Sequence, residues 1–438
     1  MNARALFAGL LCLSATTASV ACGSSSSSAP AEAGGGPDAS APEAEADGSA
    51  TVDGGGLPTC SSPFVGHPAV TLSALGGGAP AIAWTGKSYV AVWTEAGPSN
   101  TPGPGPSSTL SGSGGALLAI AMDATGTATG IPSRLATNAS DAVIARAGTA
   151  LVVSYEDFYK PTGLGVGIGY LSTVKVNSKG VGLGGAERVD TAEQFGHYFI
   201  ALASTDTGSL LLNWNIGLKL RAPAAPSSKE RLPSEDNHVQ AGNIVWNGAQ
   251  FAVAWRAFGF DGTGAPTLQT VGVHFSEAAT NGDLSGPRLQ LSSEKTKASQ
   301  AYAVQKQEVP FVTWTGSDYR IAWFELLPDG VSYSLAATRV ANGTADPVTR
   351  RAIENGVRPL TAPRWNGAEF DALAVVQGSL ALVRYSKDGT QIGAPIVLEA
   401  KLPALAEGDV TLLWTGREYV AGRGGASVKV ARIGTCGP

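Results

Sequence analysis

The stretch WTGKSYVAVW, residues 84–93, is rewritten four times further along the chain. It returns as WNGAQFAVAW at 246–255, WTGSDYRIAW at 314–323, WNGAEFDALA at 365–374 and WTGREYVAGR at 414–423. In each copy a Trp ends an apolar run, Thr-Gly or Asn-Gly follows, and aromatic and aliphatic residues then alternate. Asn-Gly between two such runs predicts a β-hairpin, because tight hairpin turns need a positive φ that Gly and Asn tolerate. In the strand after the turn, Tyr89, Ala91 and Trp93 share one face, and Val90 and Val92 the other. Both faces are apolar, so this strand is expected to be buried on both sides.

Two further short strands follow each hairpin. ALLAIAMDATG, LSTVKVNSKG, TVGVHFSEAATNGD, LAATRVANG and LALVRYSKDG read as third strands, and GIPSRLAT, GPRLQLSS and GAPIVLEA as fourth strands. The leading tryptophans, at 84, 246, 314, 365 and 414, are separated by 162, 68, 51 and 49 residues. The first gap holds three periods, so two eroded copies are expected inside it, IARAGTALVVSY at 144–155 and ASTDTGSLLLNW at 203–214. All nine tryptophans then fall within the phrase. Seven units over residues 64–438 average about 54 residues each. That period, with four strands per unit, predicts an all-β, seven-bladed β-propeller of four-stranded blades. A single blade cannot bury both of its faces, so neighbours must stack. The last unit stops one strand short, and GHPAVTLSA at 66–74 is expected to supply that strand from the N-terminal side and close the ring.

Composition narrows the class. Of 438 residues, 57 are Gly and 26 Pro, which argues against long helices. The net charge of −5 is concentrated before the repeats, where residues 23–59 carry Glu32, Asp38, Glu43, Glu45, Asp47 and Asp53 and no Lys or Arg. The remaining body balances its acidic and basic side chains, so it offers no general basic field for nucleic acid or anionic lipid.

The N-terminus reads as an address. MNAR precedes an apolar run, residues 5–21, that is shorter than a membrane span and diluted by Ser and Thr. Ser19-Val20-Ala21-Cys22 resembles the lipobox of bacterial lipoproteins, although Ser19 stands where that family usually has Leu. The resemblance implies a signal peptide over 1–21 and lipid attachment at Cys22. With Gly23 and not Asp after the cysteine, it also implies an outer-membrane destination in a cell that has one. An ordinary secretory signal cut near Ala21 remains the alternative. Residues 22–59, rich in Ser, Gly, Ala and Pro, cannot bury enough apolar area to offset their ordering entropy and are expected to form a disordered tether. The propeller then occupies 60–438. Taken together, lipobox, tether and W-[TN]-G-x-x-[FY] repeat resemble bacterial cell-surface lipoproteins that carry a propeller.

Cys12 lies in the signal and Cys22 at the anchor, which leaves Cys60 and Cys436 at the two ends of the ring. In an exported protein such a leftover pair is expected to form a disulfide. Loop-closure entropy gives this clasp an upper bound of roughly 5–6 kcal/mol. Two free thiols are the alternative.

Candidate chemistry gathers just past the second-Trp position. Glu95, Glu156, Asp157, Asn215, Arg256 and Glu325 stand there, and equivalent blades would place them at one end of the ring. They read either as a mostly acidic cluster suited to a sugar or a cation, or as strand ends that are polar because they reach water. His67, His197, His238 and His274 are scattered without metal-ligand spacing. No HExxH, Walker A, GxSxG or CxxC pattern is present. Asp329-Gly330 and Asp388-Gly389 read as turns. Ser204–Ser209 resembles the start of the Asp-box turn of sialidase-like propellers, but Leu211 replaces the aromatic that normally ends the box. The chain is therefore expected to be a monomeric, non-enzymatic binding module without metal or cofactor, held to the membrane by its lipid, with a glycan or an envelope protein as ligand. A glycan-active hydrolase or lyase, and a structural envelope component that binds another protein, are the alternatives.

Overall fold

The computed structural model describes residues 64–95, 115–159, 168–189, 198–205, 209–214, 218–221, 229–230, 238–259, 269–296, 308–401 and 410–434. Among these residues there is no α-helix, and the chain forms antiparallel sheets arranged as a propeller-like ring. The expected lipid attachment at Cys22, the tether and the Cys60–Cys436 pair lie outside the described residues.

The repeated phrase forms the first two strands of its unit. Ala81–Trp84 pairs with Tyr89–Glu95, His238–Trp246 with Phe251–Gly259, Phe311–Trp314 with Tyr319–Leu326, and Val410–Trp414 with Glu418–Arg423. In each pair the Trp stands opposite the aromatic five residues on, and the two rings lie 4.5–4.8 Å apart in all five full copies. The eroded copy keeps this register, with Arg146 opposite Leu151 where Trp84 stands opposite Tyr89.

Seven separate four-stranded sheets were expected, and the described residues form six. Two have four strands, three have five, and one has seven. The cause is local. The 20-residue strand Ala128–Ala147 pairs on one side with Gly115–Met122 and, further along, with Ala150–Tyr159, so two units are joined in one sheet. From Ile131 to Ala147 the chain has only one Pro and no Gly, so little breaks the extended backbone between a fourth strand and the next first strand. It is only bent, through the register shift between Ser140 and Val143 and the positive φ of Asp141. In the sheet of the last unit, Val65–Gly66 and Val70–Ser73 both pair with Val428–Gly434, so the N-terminal segment completes the C-terminal sheet.

The second strands are buried on both faces, one against each neighbouring sheet. Tyr89, Ala91 and Trp93 pack on Val420, Val428 and Val430, whereas Val90 and Val92 pack on Leu151, Val153 and Tyr155. Tyr319, Ile321 and Trp323 pack on Ala252, Ala254 and Phe275, while Ala322 and Phe324 face Phe370, Ala372 and Tyr385. First strands adjoin first strands around the axis, and Val410–Trp414 returns to Ala81–Trp84, where Thr411 Oγ1 donates to the Pro80 carbonyl at 2.6 Å.

Candidate functional site

An up-down meander sends the first-to-second and third-to-fourth connections to one end of each sheet. The second-to-third connections and the crossings between sheets go to the other end. The two ends differ in chemistry.

At the first end the phrase makes one turn repeatedly. The backbone N–H of Thr85, Asn247, Thr315, Asn366 and Thr415 donates to the carbonyl three residues on at 2.9–3.1 Å. The Gly that follows takes φ of 99°, 98°, 98°, 106° and 89°. This is looser than the tight hairpin turn the sequence suggested. Four residues form the loop, only the Gly is left-handed, and Thr or Asn serves through its side chain. Asn247 Oδ1 accepts from Ala249 and Gln250 N–H, both at 2.8 Å, and Thr85 Oγ1 accepts from Ser88 N–H at 3.0 Å. Asn and Thr are interchangeable here because either oxygen reaches these donors.

Where the phrase carries Tyr, its hydroxyl crosses to the preceding sheet. Tyr89 donates to Glu418, which Arg432 also grips at 2.7 Å. Tyr319 donates to Glu277 at 3.1 Å and accepts from Asn247 Nδ2 at 2.7 Å. Tyr419 donates to Asp371 Oδ2 at 2.5 Å, to which Asn366 Nδ2 also donates at 2.7 Å. Asp371 is fully buried and its Oδ1 has no partner, so desolvation, reinforced by the charge of Glu369, raises its carboxyl well above the ordinary range. Phe251 and Phe370 have no hydroxyl to extend. These bonds were not anticipated, although the acid before the aromatic (WTGSDY, WNGAEF, WTGREY) was a readable sign. Each such acid pairs with an Arg of the third strand: Asp318 with Arg339, Glu369 with Arg384, and Glu418 with Arg432.

The opposite end varies from unit to unit. Gln377 and Gly378 suffice between Val376 and Ser379, whereas residues 96–114 separate Glu95 from Gly115. Five of the six predicted polar residues are described and lie at this end, where strand alternation divides them. Glu95, Asp157 and Glu325 share a face with the second-Trp position, while Glu156 and Arg256 take the opposite face. Each has its own partner. Glu95 accepts from Ser73 Oγ at 2.8 Å, and Glu156 from Ser140 Oγ at 3.0 Å. Arg256 forms a buried ion pair with Glu308 at 3.1 Å. Glu325 accepts from Trp323 Nε1 at 2.8 Å and from Arg350 Nε at 2.9 Å. Burial raises the Asp157 carboxyl, although the charge of Arg188 works against the shift. Asn215 lies outside the described residues, as do 206–208 of the Asp-box resemblance. The partners Glu308 and Arg350 were not legible, because each stands many residues from its mate with no shared pattern.

The environment of the second tryptophan also differs between units. Trp323 Nε1 is satisfied by Glu325, whereas the buried Nε1 atoms of Trp93 and Trp255 have no acceptor. Trp255 instead stacks on the buried His274, with ring centroids 5.6 Å apart. Among the described residues, no group of three or more His, Cys, Asp and Glu side chains is placed to hold a metal ion.

No family model matches the chain, and no curated protein matches it. Solved structures do. Prolyl oligopeptidase B from Galerina marginata is 10% identical with a TM-score of 0.45, over 83% of this chain and 50% of that one. One of two prolyl endopeptidases is 12% identical with a TM-score of 0.44, over 80% of this chain and 45% of that one. The chain thus spans about half the length of these peptidases. CoXyl43, a GH43 beta-xylosidase/alpha-arabinofuranosidase from a compost microbial metagenome, is 12% identical with a TM-score of 0.35, over 79% of this chain and 97% of that one. At these scores the likenesses carry no argument about activity, and the site stands on its own geometry.

Proposed function

We propose that the chain is an exported lipoprotein, anchored through Cys22 and a tether over 22–59, whose propeller binds a ligand without turning it over. In this reading the seven-stranded sheet counts as two blades that share Ala128–Ala147, which makes the ring seven-bladed, and Cys60 and Cys436 clasp its two ends.

The difference between the two ends carries the reading. One end repeats a fixed turn and ties sheet to sheet, which makes a rigid frame. The other end spends its sequence on connections of unequal length and on polar groups that differ from unit to unit. A rigid scaffold with unlike loops at one end is how binding surfaces are commonly built. Glu95, Glu156, Asp157, Arg256 and Glu325 belong to that end, the sequence pattern adds Asn215 to the set, and a glycan or an envelope protein is the ligand class that suits polar, hydrogen-bonding strand termini. Among the described residues no helix is long and apolar enough to cross a membrane.

The test is a broad glycan array probed with the detergent-solubilised protein, followed by a turnover assay on every hit and a pull-down from envelope extract. Selective binding without cleavage is the expected result. Cleavage of a bound glycan would replace this reading with a hydrolase or lyase. A blank array with a specific protein partner would make the chain a structural envelope component. For the anchor, mass spectrometry of the N-terminal peptide is expected to show acylated Cys22, and an unmodified peptide would remove the lipoprotein assignment.

A further inference from the structure

The register places Arg364 directly opposite Asp371 in the 357–399 sheet, an arrangement that ordinarily gives an ion pair. Here the two do not meet. Asp371 Oδ2 is taken by Tyr419 and Asn366, and Arg384 is committed to Glu369 at 2.7 Å. The Arg364 guanidinium lies instead on the ring of Phe311, with Cζ 3.4 Å from the ring centroid. Arg364 and Phe311 both stand on first strands, so the cation sits between two neighbouring sheets on the axis side of the ring.

Its height in the ring follows from the repeat. Arg364 precedes Trp365 as Thr313 precedes Trp314, so Arg364 is level with Thr313. Phe311 is two residues, or about 6.6 Å, nearer the end with unequal connections. The side chain therefore runs along the axis towards that end.

Among the described residues this guanidinium has no carboxylate within ion-pair distance, and its buried Nε has no acceptor. Arg364 as a whole residue is nevertheless only partly buried. Desolvation pushes it down to about 9, so it remains a cation at neutral pH. A desolvated, unpaired charge is costly, and the stacking on Phe311 offsets only a part of that cost. A group kept in this condition, deeply set yet partly accessible, is one whose counter-ion arrives from outside.

We propose that Arg364, backed by Phe311, binds the carboxylate of a small ligand that approaches along the axis side of the sheets from the variable end. This rests on the reading of that end as the binding end and names the charge of what it takes. The planar guanidinium fork matches a carboxylate in two parallel hydrogen bonds. A monoanion balances the single cation, whereas a phosphate dianion would leave one negative charge uncompensated in a desolvated site.

Calorimetric titration with glucuronate, glucose and inorganic phosphate at fixed ionic strength tests the proposal. Wild-type protein is expected to bind glucuronate and not glucose, and Arg364→Gln to weaken that binding at least tenfold with an unchanged tryptophan emission spectrum. Arg364→Lys, which keeps the charge and loses the fork, is expected to weaken it several-fold. This variant decides the matter if Arg364→Gln does not fold, since binding equal to wild type would then overturn the proposal. Absence of glucuronate binding by wild type, undiminished binding by Arg364→Gln, or preference for phosphate would each overturn it as well. Such a failure would leave the binding reading standing on the array, because an uncharged glycan hit does not require Arg364.

Discussion

The two ends of the sheets use polar residues in opposite ways. At the turn end, Thr or Asn and Gly perform the same task in copy after copy, an acid joins them in three of the five, and the tyrosine hydroxyls carry it across to the preceding sheet. At the variable end, Glu95, Glu156, Arg256 and Glu325 occupy comparable places yet take five unrelated partners: Ser73, Ser140, Glu308, and Trp323 with Arg350. Repetition marks the end where backbone geometry is the problem, since every hairpin must reverse the chain in the same space. Variation marks the end where geometry is already settled and the side chains are released for other uses.

This contrast makes unequal demands on mutation. The largest effect is expected at the variable end, where Glu308→Ala leaves Arg256 buried without its counter-charge. A loss of about 3–5 kcal/mol in urea unfolding is expected, and Arg256→Met combined with Glu308→Leu should recover most of it. A loss below about 1 kcal/mol for the single variant would mean that the pair is solvated and that this end is softer than described.

The next effect belongs to the turn end and depends on pH. Asp371 holds its proton in the folded protein at pH values where the unfolded chain has released it. Stability from this group is therefore fully present below the ordinary carboxylate range and is lost as pH rises from there towards the raised folded value. The slope is at most about 1.4 kcal/mol per pH unit. Asp371→Asn should flatten that slope in urea midpoints measured across pH 4–8, and an identical slope in the variant would show that Asp371 is ionised when folded.

A smaller effect is expected from Gly248→Ala, which forces a side chain into a φ of 98° with nothing within 4 Å to resist it sterically. The cost should be about 1–2 kcal/mol, from backbone strain alone. Gly416→Ala, at φ 89° and equally open, should cost the same, and unequal costs would break the claim that the copies are equivalent.

Much of the scaffold was legible because repetition amplifies weak local signals. A single WTGKSYVAVW is ambiguous, but five copies fix the hairpin and the two buried faces of the second strand. The candidate site was legible only in position. The sequence placed the polar residues at one end of their strands, but the fork between +1 and +2 positions puts Glu156 and Arg256 on one face of their strands and Glu95, Asp157 and Glu325 on the other. Arg364 was overlooked because its meaning lies in a partner it does not have.

The sequence alone determined the elements: which residues form strands, where the chain reverses, and which segment completes the last sheet. These follow from alternation and from turn residues within a few positions, and such local preferences survive without any knowledge of neighbours. The tertiary structure decided the pairings: Tyr419 with Asp371, Arg256 with Glu308, Arg364 with Phe311, and two units joined through one long strand. Such contacts connect residues far apart in the chain, and their energies depend on burial and distance, which exist only once the sheets have packed around a common axis.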